Sequence, residues 1–141
     1  MIASFMRHIS SLLLIVPLLS AADNHVIPNW VISGIAAVET GSTYRGGELV
    51  HYRDRRDGSA GEVGPWQLAP DALIDLKAHH LRDRIRREPM LAESMARAWL
   101  LRCYQRTDDW FDAVAVYHTG PQGSKRRGRD YAERVMAAGQ Q

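Results

Sequence analysis

Among the acidic residues of this 141-residue chain, Glu39 has the setting best suited to acid–base chemistry. It follows Ile35 by four positions and Val31 by eight, so in a helix it lies on or beside the apolar stripe facing a core. Thr40-Gly41 marks a helix end, where the helix dipole disfavours negative charge. Partial burial acts in the same direction, and both effects raise a carboxyl's pKa. An acid kept protonated near neutral pH can give its proton to a departing sugar oxygen, the step that glycosidic cleavage requires. Spacing alone equally allows a helix-end glutamate that reaches solvent.

Other chemistries find less support. His79-His80 with His51 and His118 match no zinc-ligand spacing, so neither a metal nor another cofactor is expected. A Ser/His/Asp hydrolase would need a nucleophile-elbow motif that is missing. Cys103 is the only cysteine and follows Trp99 at helical spacing, so it reads as a small core residue that forms no intrachain disulfide. Arg82, Arg84, Arg86 and Arg87 form one basic run, and Lys125, Arg126, Arg127 and Arg129 another. Asp83, Glu88 and Asp130 dilute them, no aromatics interleave, and the formal net charge is only +2. Nucleic acid is therefore not an expected partner; solvated faces with a loose attraction to anionic envelope polymers are.

The elements that must position Glu39 begin after residue 22. Arg7 and His8 precede the apolar run Leu12 to Leu19, and Ser20-Ala21-Ala22 follows, the layout of a cleavable export signal. The run is short for a bilayer span, which takes about 20 residues, although an uncleaved anchor is the alternative. Residues 1–22 are thus expected to be a signal peptide and 23–141 the folded domain, exported to the periplasm or cell envelope. A first helix is predicted from Ile27 to Thr40, with Pro28 in its first turn and Gly41 closing it. The glycine-rich stretch from Ser42 to Ala69 predicts a loop and small β-hairpin, with strands at Leu49–Arg53 and Trp66–Leu68. Helices are then predicted at Asp71–Ala78, Leu81–Arg87, Pro89–Tyr104, Trp110–Tyr117 and Arg129–Ala137, with Asp108 or Asp109 as the cap before Trp110. The expected class is α+β, mostly helical, with one small hairpin.

Three segments in order carry a family resemblance. Ala37-Val38-Glu39-Thr40 resembles a helix-end Glu-Ser motif, with Thr for Ser. Gly61-Glu62-Val63-Gly64-Pro65-Trp66-Gln67-Leu68-Ala69-Pro70 resembles Gly-x-x-Gly-Leu-Met-Gln-Leu-x-Pro. Val116-Tyr117-His118-Thr119-Gly120-Pro121 resembles Ala-Tyr-Asn-x-Gly-Pro, and Tyr131 fits a tyrosine in the last helix. Together they are similar to the catalytic domain of soluble lytic transglycosylases, over about Val31 to Val135.

The resemblance implies a lysozyme-like fold with the hairpin beside an active-site groove. It also implies non-hydrolytic cleavage of the MurNAc–GlcNAc β-1,4 bond of peptidoglycan, with Glu39 as acid and then base and 1,6-anhydro-MurNAc as product. By the same resemblance, Thr40 places a hydroxyl near the groove and Gln67 holds sugar or N-acetyl groups. Tyr117 and Tyr131 position the reacting sugar or the glutamate. Two departures stand out. His118 replaces asparagine and adds a titratable group to the substrate site, and Trp66 brings an indole that would stack on a sugar face. Between Glu39 and Gly61 the chain is longer than the family pattern and contains Asp54 and Asp57. Either would serve a goose- or phage-type lysozyme as the second carboxylate that activates water, roughly 6.5–9.5 Å from the first. The plainer reading, favoured because surface ion pairs are common, is that they pair with Arg53, Arg55 and Arg56 in a solvated charged loop. A non-catalytic glycan-binding module on the same fold is a further alternative. A small single domain implies a secretion, conjugation or envelope complex that recruits it.

Overall fold

The computed structural model describes residues 26–45, 47–51 and 57–141; the expected export signal and Asp54 lie outside the described residues. α1 (Asn29–Thr40) starts behind Pro28 and buries Val31, Ile32, Ile35 and Ala36. Gly41 closes it at φ 65°, a conformation open to glycine at little cost, and its N–H donates to the Ala37 carbonyl at 2.9 Å. The chain then folds into a two-stranded antiparallel sheet, β1 (Thr43–Arg45) and β2 (Glu48–His51), with Tyr44 opposite Leu49 and an irregularity at Thr43/Tyr44.

The expected strand at Trp66–Leu68 does not form. Val63 and Leu68 instead make a single antiparallel bridge around a tight turn. The hairpin pairs 43–45 with 48–51, with Arg45 opposite Glu48 across a short connection.

The remaining elements are helical: α2 (Pro70–Asp75), a 3₁₀ turn (His79–Leu81), α3 (Arg82–Arg87), α4 (Pro89–Thr107), α5 (Trp110–Thr119) and α6 (Lys125–Gly139). The described residues are thus mostly helical with one small antiparallel sheet, an α+β arrangement. Asp109 caps α5 by accepting the Asp112 N–H at 2.9 Å. α6 starts four residues before the predicted Arg129, because Ser124 caps it and Gly128 belongs inside it. A Cβ at Gly128 would stand 3.0 Å from the Ala115 methyl, so glycine lets α6 lie close on α5. α4 runs on to Thr107 and buries Ala92, Ala96, Trp99, Leu100 and Cys103. Burial pushes the Cys103 thiol up to about 12, as befits a core residue rather than a nucleophile.

α6 packs antiparallel on α1. Gly139 meets the backbone at Trp30, and Gly34 meets that at Val135; a Cβ at either glycine would overlap that backbone. Continuing along both helices from the Gly34 contact brings Glu39 beside Tyr131. The close approach at Gly34 therefore sets the geometry of the site. Among the described residues, no helix is long and apolar enough to cross a membrane.

Candidate active site

Glu39 sits in the last turn of α1, half-buried, and its Oε1 accepts a 2.6 Å hydrogen bond from the Tyr131 hydroxyl of α6. Burial raises the Glu39 pKa; Tyr131 opposes the rise, the charge of Glu62 adds to it and Arg134 opposes it. Tyr131 is itself buried, which pushes its own pKa well up, so its hydroxyl stays protonated and remains a donor.

His118, at the end of α5, stacks flat on the Tyr131 ring with centroids 4.1 Å apart and planes 7° apart. The covered face keeps the imidazole below its ordinary pKa; Arg134 and Arg127 act in the same direction and Glu62 opposes. Three residues further along α6, the Arg134 guanidinium lies 5.7 Å from the Tyr131 ring centroid. Glu39, Tyr131, His118 and Arg134 thus form one cluster across α1, α5 and α6.

Three expected substrate contacts are corrected. Thr40 is fully buried; its hydroxyl bonds Ser42 Oγ at 2.6 Å and the carbonyls of Ala36 and Pro65 at 3.1 and 2.9 Å. It ties the end of α1 to the Pro65 turn and does not face a groove. Trp66 is fully buried as well, with its indole N–H on the Ile32 carbonyl at 2.9 Å, so it is a core residue and no sugar platform. The Tyr117 hydroxyl donates to the Trp66 carbonyl at 2.6 Å and so supports the neighbouring turn, while burial and the charge of Glu39 push its pKa well up.

Gln67 is half-buried at φ 46°, a left-handed conformation that costs a non-glycine residue energy. Its side-chain N–H donates to the Gly64 carbonyl at 3.0 Å. A Cβ at residue 58 would overlap the Glu62 carboxylate and stand 2.7 Å from the Gln67 amide oxygen, so glycine there lets both groups close on the same spot.

Asp57 is tied to α3. Arg86 reaches both its oxygens at 2.8 Å, and Arg82 bonds one at 2.7 Å and the Gly61 carbonyl at 3.0 Å. These guanidiniums, Arg86 foremost, hold its carboxyl down to about 2. A carboxylate so held makes a poor water-activating base. Arg82 and Arg86, read from the sequence as solvated, are its partners; Arg53, Arg55 and Arg56 lie outside the described residues.

Sequence reasoning passed over Glu62, the carboxylate whose charge bears on both Glu39 and His118. The signal was present, because Glu62 lies inside the second motif, but at a position the pattern leaves open. Arg134 was missed too, although it stands one turn after Tyr131. Among the described residues no group of three or more His, Cys, Asp or Glu could hold a metal ion. A cavity of about 320 Å³ between α5 and α6, lined in part by Thr107, Asp112, Lys125 and Arg129, shares no residue with the Glu39 cluster. No protein-family model, curated protein or solved structure matches the chain.

Proposed function

We propose that this chain is a peptidoglycan lytic transglycosylase with a lysozyme-like fold, in which Glu39 is the one acid and base. The observation that carries the reading is a half-buried carboxylic acid of raised pKa, fixed by the Tyr131 hydroxyl at 2.6 Å. Glu39 would protonate the leaving GlcNAc oxygen, and the substrate's N-acetyl group would stabilise the positive anomeric centre. The carboxylate so formed would then take the proton of the MurNAc 6-hydroxyl as that oxygen bonds to the anomeric carbon. No water is consumed and no second carboxylate is needed. Tyr131 would restrain the acid through both steps and stabilise its ionised form between them.

The three motifs occur in order around this cluster, and the engagement of Asp57 by two arginines weighs against hydrolysis through that residue. Export to the periplasm or cell envelope, suggested by the first 22 residues, would bring the enzyme to its substrate. A recruiting envelope complex fits the same reading.

The test is to incubate the chain with purified peptidoglycan and weigh the soluble products. Fragments ending in 1,6-anhydro-MurNAc, one water lighter than hydrolytic ones, are expected. Reducing-end fragments would replace the transglycosylase with a lysozyme. Glu39→Gln should lower turnover by about 10²–10⁴-fold while glycan binding survives; a binding module would be indifferent to the change.

A further inference from the structure

We infer that the outer edge of β2 and the start of α4 form a docking surface for an extended, basic segment of a partner protein, which seats an apolar side chain in the cavity between them. The surface shares no residue with the Glu39 cluster, and the inference stands apart from the reaction proposed for that site.

Cross-strand register fixes which way the hairpin faces. Tyr44 and Leu49 stand opposite each other, so their side chains share one face of the sheet. Tyr44 turns that face toward α4: its hydroxyl bonds Glu93 and Arg97, and its ring meets Trp66 edge-on at 6.1 Å. Under β1 the face is thus filled. Under β2 it is not, because Leu49 looks onto a cavity of about 370 Å³ lined by Gly47, Glu48, Leu49, Pro89, Met90 and Glu93. Met90 borders it while 85% exposed, and with Leu49 and Pro89 it makes an apolar wall open to water.

Among the described residues the sheet has two strands, and β2 pairs with β1 alone. Backbone groups along a bare edge are a template for a further extended chain, and neither proline nor lysine blocks this one. Leu49 pairs with Tyr44 and His51 with Thr43, so Val50 has no counterpart and the register slips there. That irregularity confines strand addition to residues 47–49, above the cavity. Alternate side chains of a segment laid along that edge point to the α4 side, where an apolar one displaces water between Leu49 and Met90.

Charge chooses the occupant. Glu48 and Glu93 stand on the cavity wall, and no basic residue lines it. The Tyr44 hydroxyl and Arg97 both bond Glu93 at Oε1, leaving Oε2 without a hydrogen bond among the described residues. A second copy laid edge to edge would bring Glu48 near its counterpart, and like charges across a strand pair repel. An acidic ligand is disfavoured on the same ground. A segment that flanks its apolar residue with lysine or arginine meets both carboxylates.

The experiment titrates the ¹⁵N-labelled chain with short blocked peptides in which lysines flank a central valine, leucine, isoleucine, methionine or phenylalanine. The best of them should bind with a Kd below about 1 mM and shift the amide signals of residues 47–49 and 90–93. At low salt it should bind about tenfold tighter than the same peptide with glutamates for lysines. N-methyl groups on one edge of the peptide should weaken it about tenfold and on the other edge leave it unchanged, since one edge alone can face β2. Met90→Gln and Glu48→Lys should each weaken binding about fivefold, with an unchanged unfolding midpoint to verify that both fold. Binding by none of the peptides, or a loss indifferent to which edge is methylated, would overturn strand docking. Equal binding of the lysine and glutamate forms would overturn the charge assignment. A dimer in sedimentation that Met90→Gln dissolves would give the surface to a second copy instead. None of these outcomes bears on the reading of Glu39, which the products of peptidoglycan cleavage decide.

Discussion

Glu39 and its tyrosine ride on the three-helix wall of α1, α5 and α6, while Glu62 and Gln67 belong to the segment 57–69, and the two regions differ in how much polar ties add to their packing. The helical wall is apolar and close-packed: Val31, Ile35, Val114, Tyr131 and Val135 are buried, and glycines at 34 and 128 let the backbones approach. The facing segment shares that core through Val63, Trp66 and Leu68, but its outer part is fastened by polar ties. Asp57 joins it to Arg82 and Arg86 of α3, and the Tyr44 hydroxyl joins β1 to Glu93 and Arg97 of α4 at 2.8 and 2.9 Å. Apolar packing resists salt and pH; partly exposed ion pairs do not. The acid therefore sits on the part whose geometry is least negotiable, and the groups opposite it on the part easiest to loosen. Trp66 joins the two, giving its indole N–H to Ile32 and receiving the Tyr117 hydroxyl at its carbonyl.

That contrast ranks the effects of substitution. Trp66→Ala removes the joint and leaves a large cavity, so it should cost about 3–5 kcal/mol and abolish turnover together with cooperative folding. Urea unfolding followed by tyrosine fluorescence and circular dichroism measures it; a cost near 1 kcal/mol would mean the two regions do not share a core. Gly34→Ala comes next. Alanine normally favours a helix over glycine, yet here its methyl would overlap the Val135 carbonyl. The helices must part, at a cost of roughly 1–3 kcal/mol. Turnover should fall further than stability explains, because Tyr131 would be drawn away from Glu39.

Much of this could be read in the sequence, and the exceptions share a cause. The stripe from Val31 to Ile35, Gly41 as stop and Asp109 as cap are local features, and the helices follow from them. The burial of Glu39 follows from its register on that stripe. Its tyrosine came from the family resemblance, because nothing local ties residue 39 to residue 131. Thr40 and Trp66 were assigned to the groove because motif position does not say which way a side chain points. The α1–α6 approach decides that, and it rests on Gly34, which looks unremarkable in the chain. The partners of Asp57 were missed for the same reason: Arg82 and Arg86 stand 25 and 29 residues further along the chain.

Asp57→Asn tests the weaker region. Its pairs are partly exposed, so the loss should be about 1 kcal/mol or less at neutral pH. The sign with pH is fixed. A carboxyl held at about 2 when folded, against roughly 3.9 when unfolded, contributes stability above pH 4 that disappears as pH falls toward 2. The variant should be flatter than the parent over that window and less sensitive to salt. A penalty as large as that of Gly34→Ala would refute the division between an apolar wall and an ionic one.

The smallest expected change is a shift, not a loss, and it probes the two regions across the site. In the proposed reaction Glu39 must be protonated to give its proton to the leaving oxygen, so the rate of bond cleavage should decline as pH rises through its pKa. The charge of Glu62 raises that pKa, whereas the hydroxyl of Tyr131 lowers it. Glu62→Gln should therefore move the alkaline limb to lower pH. Tyr131→Phe should move it to higher pH while turnover drops about tenfold for want of the restraint. The same glutamate raises the pKa of His118, so Glu62→Gln should also lower the imidazole titration seen by proton NMR. If the limb stays fixed while the imidazole shifts, the group that titrates in catalysis is not Glu39. If both stay fixed, Glu62 in solution stands too far from α6 to act on either, and the loosely tied region has moved away from the wall it faces.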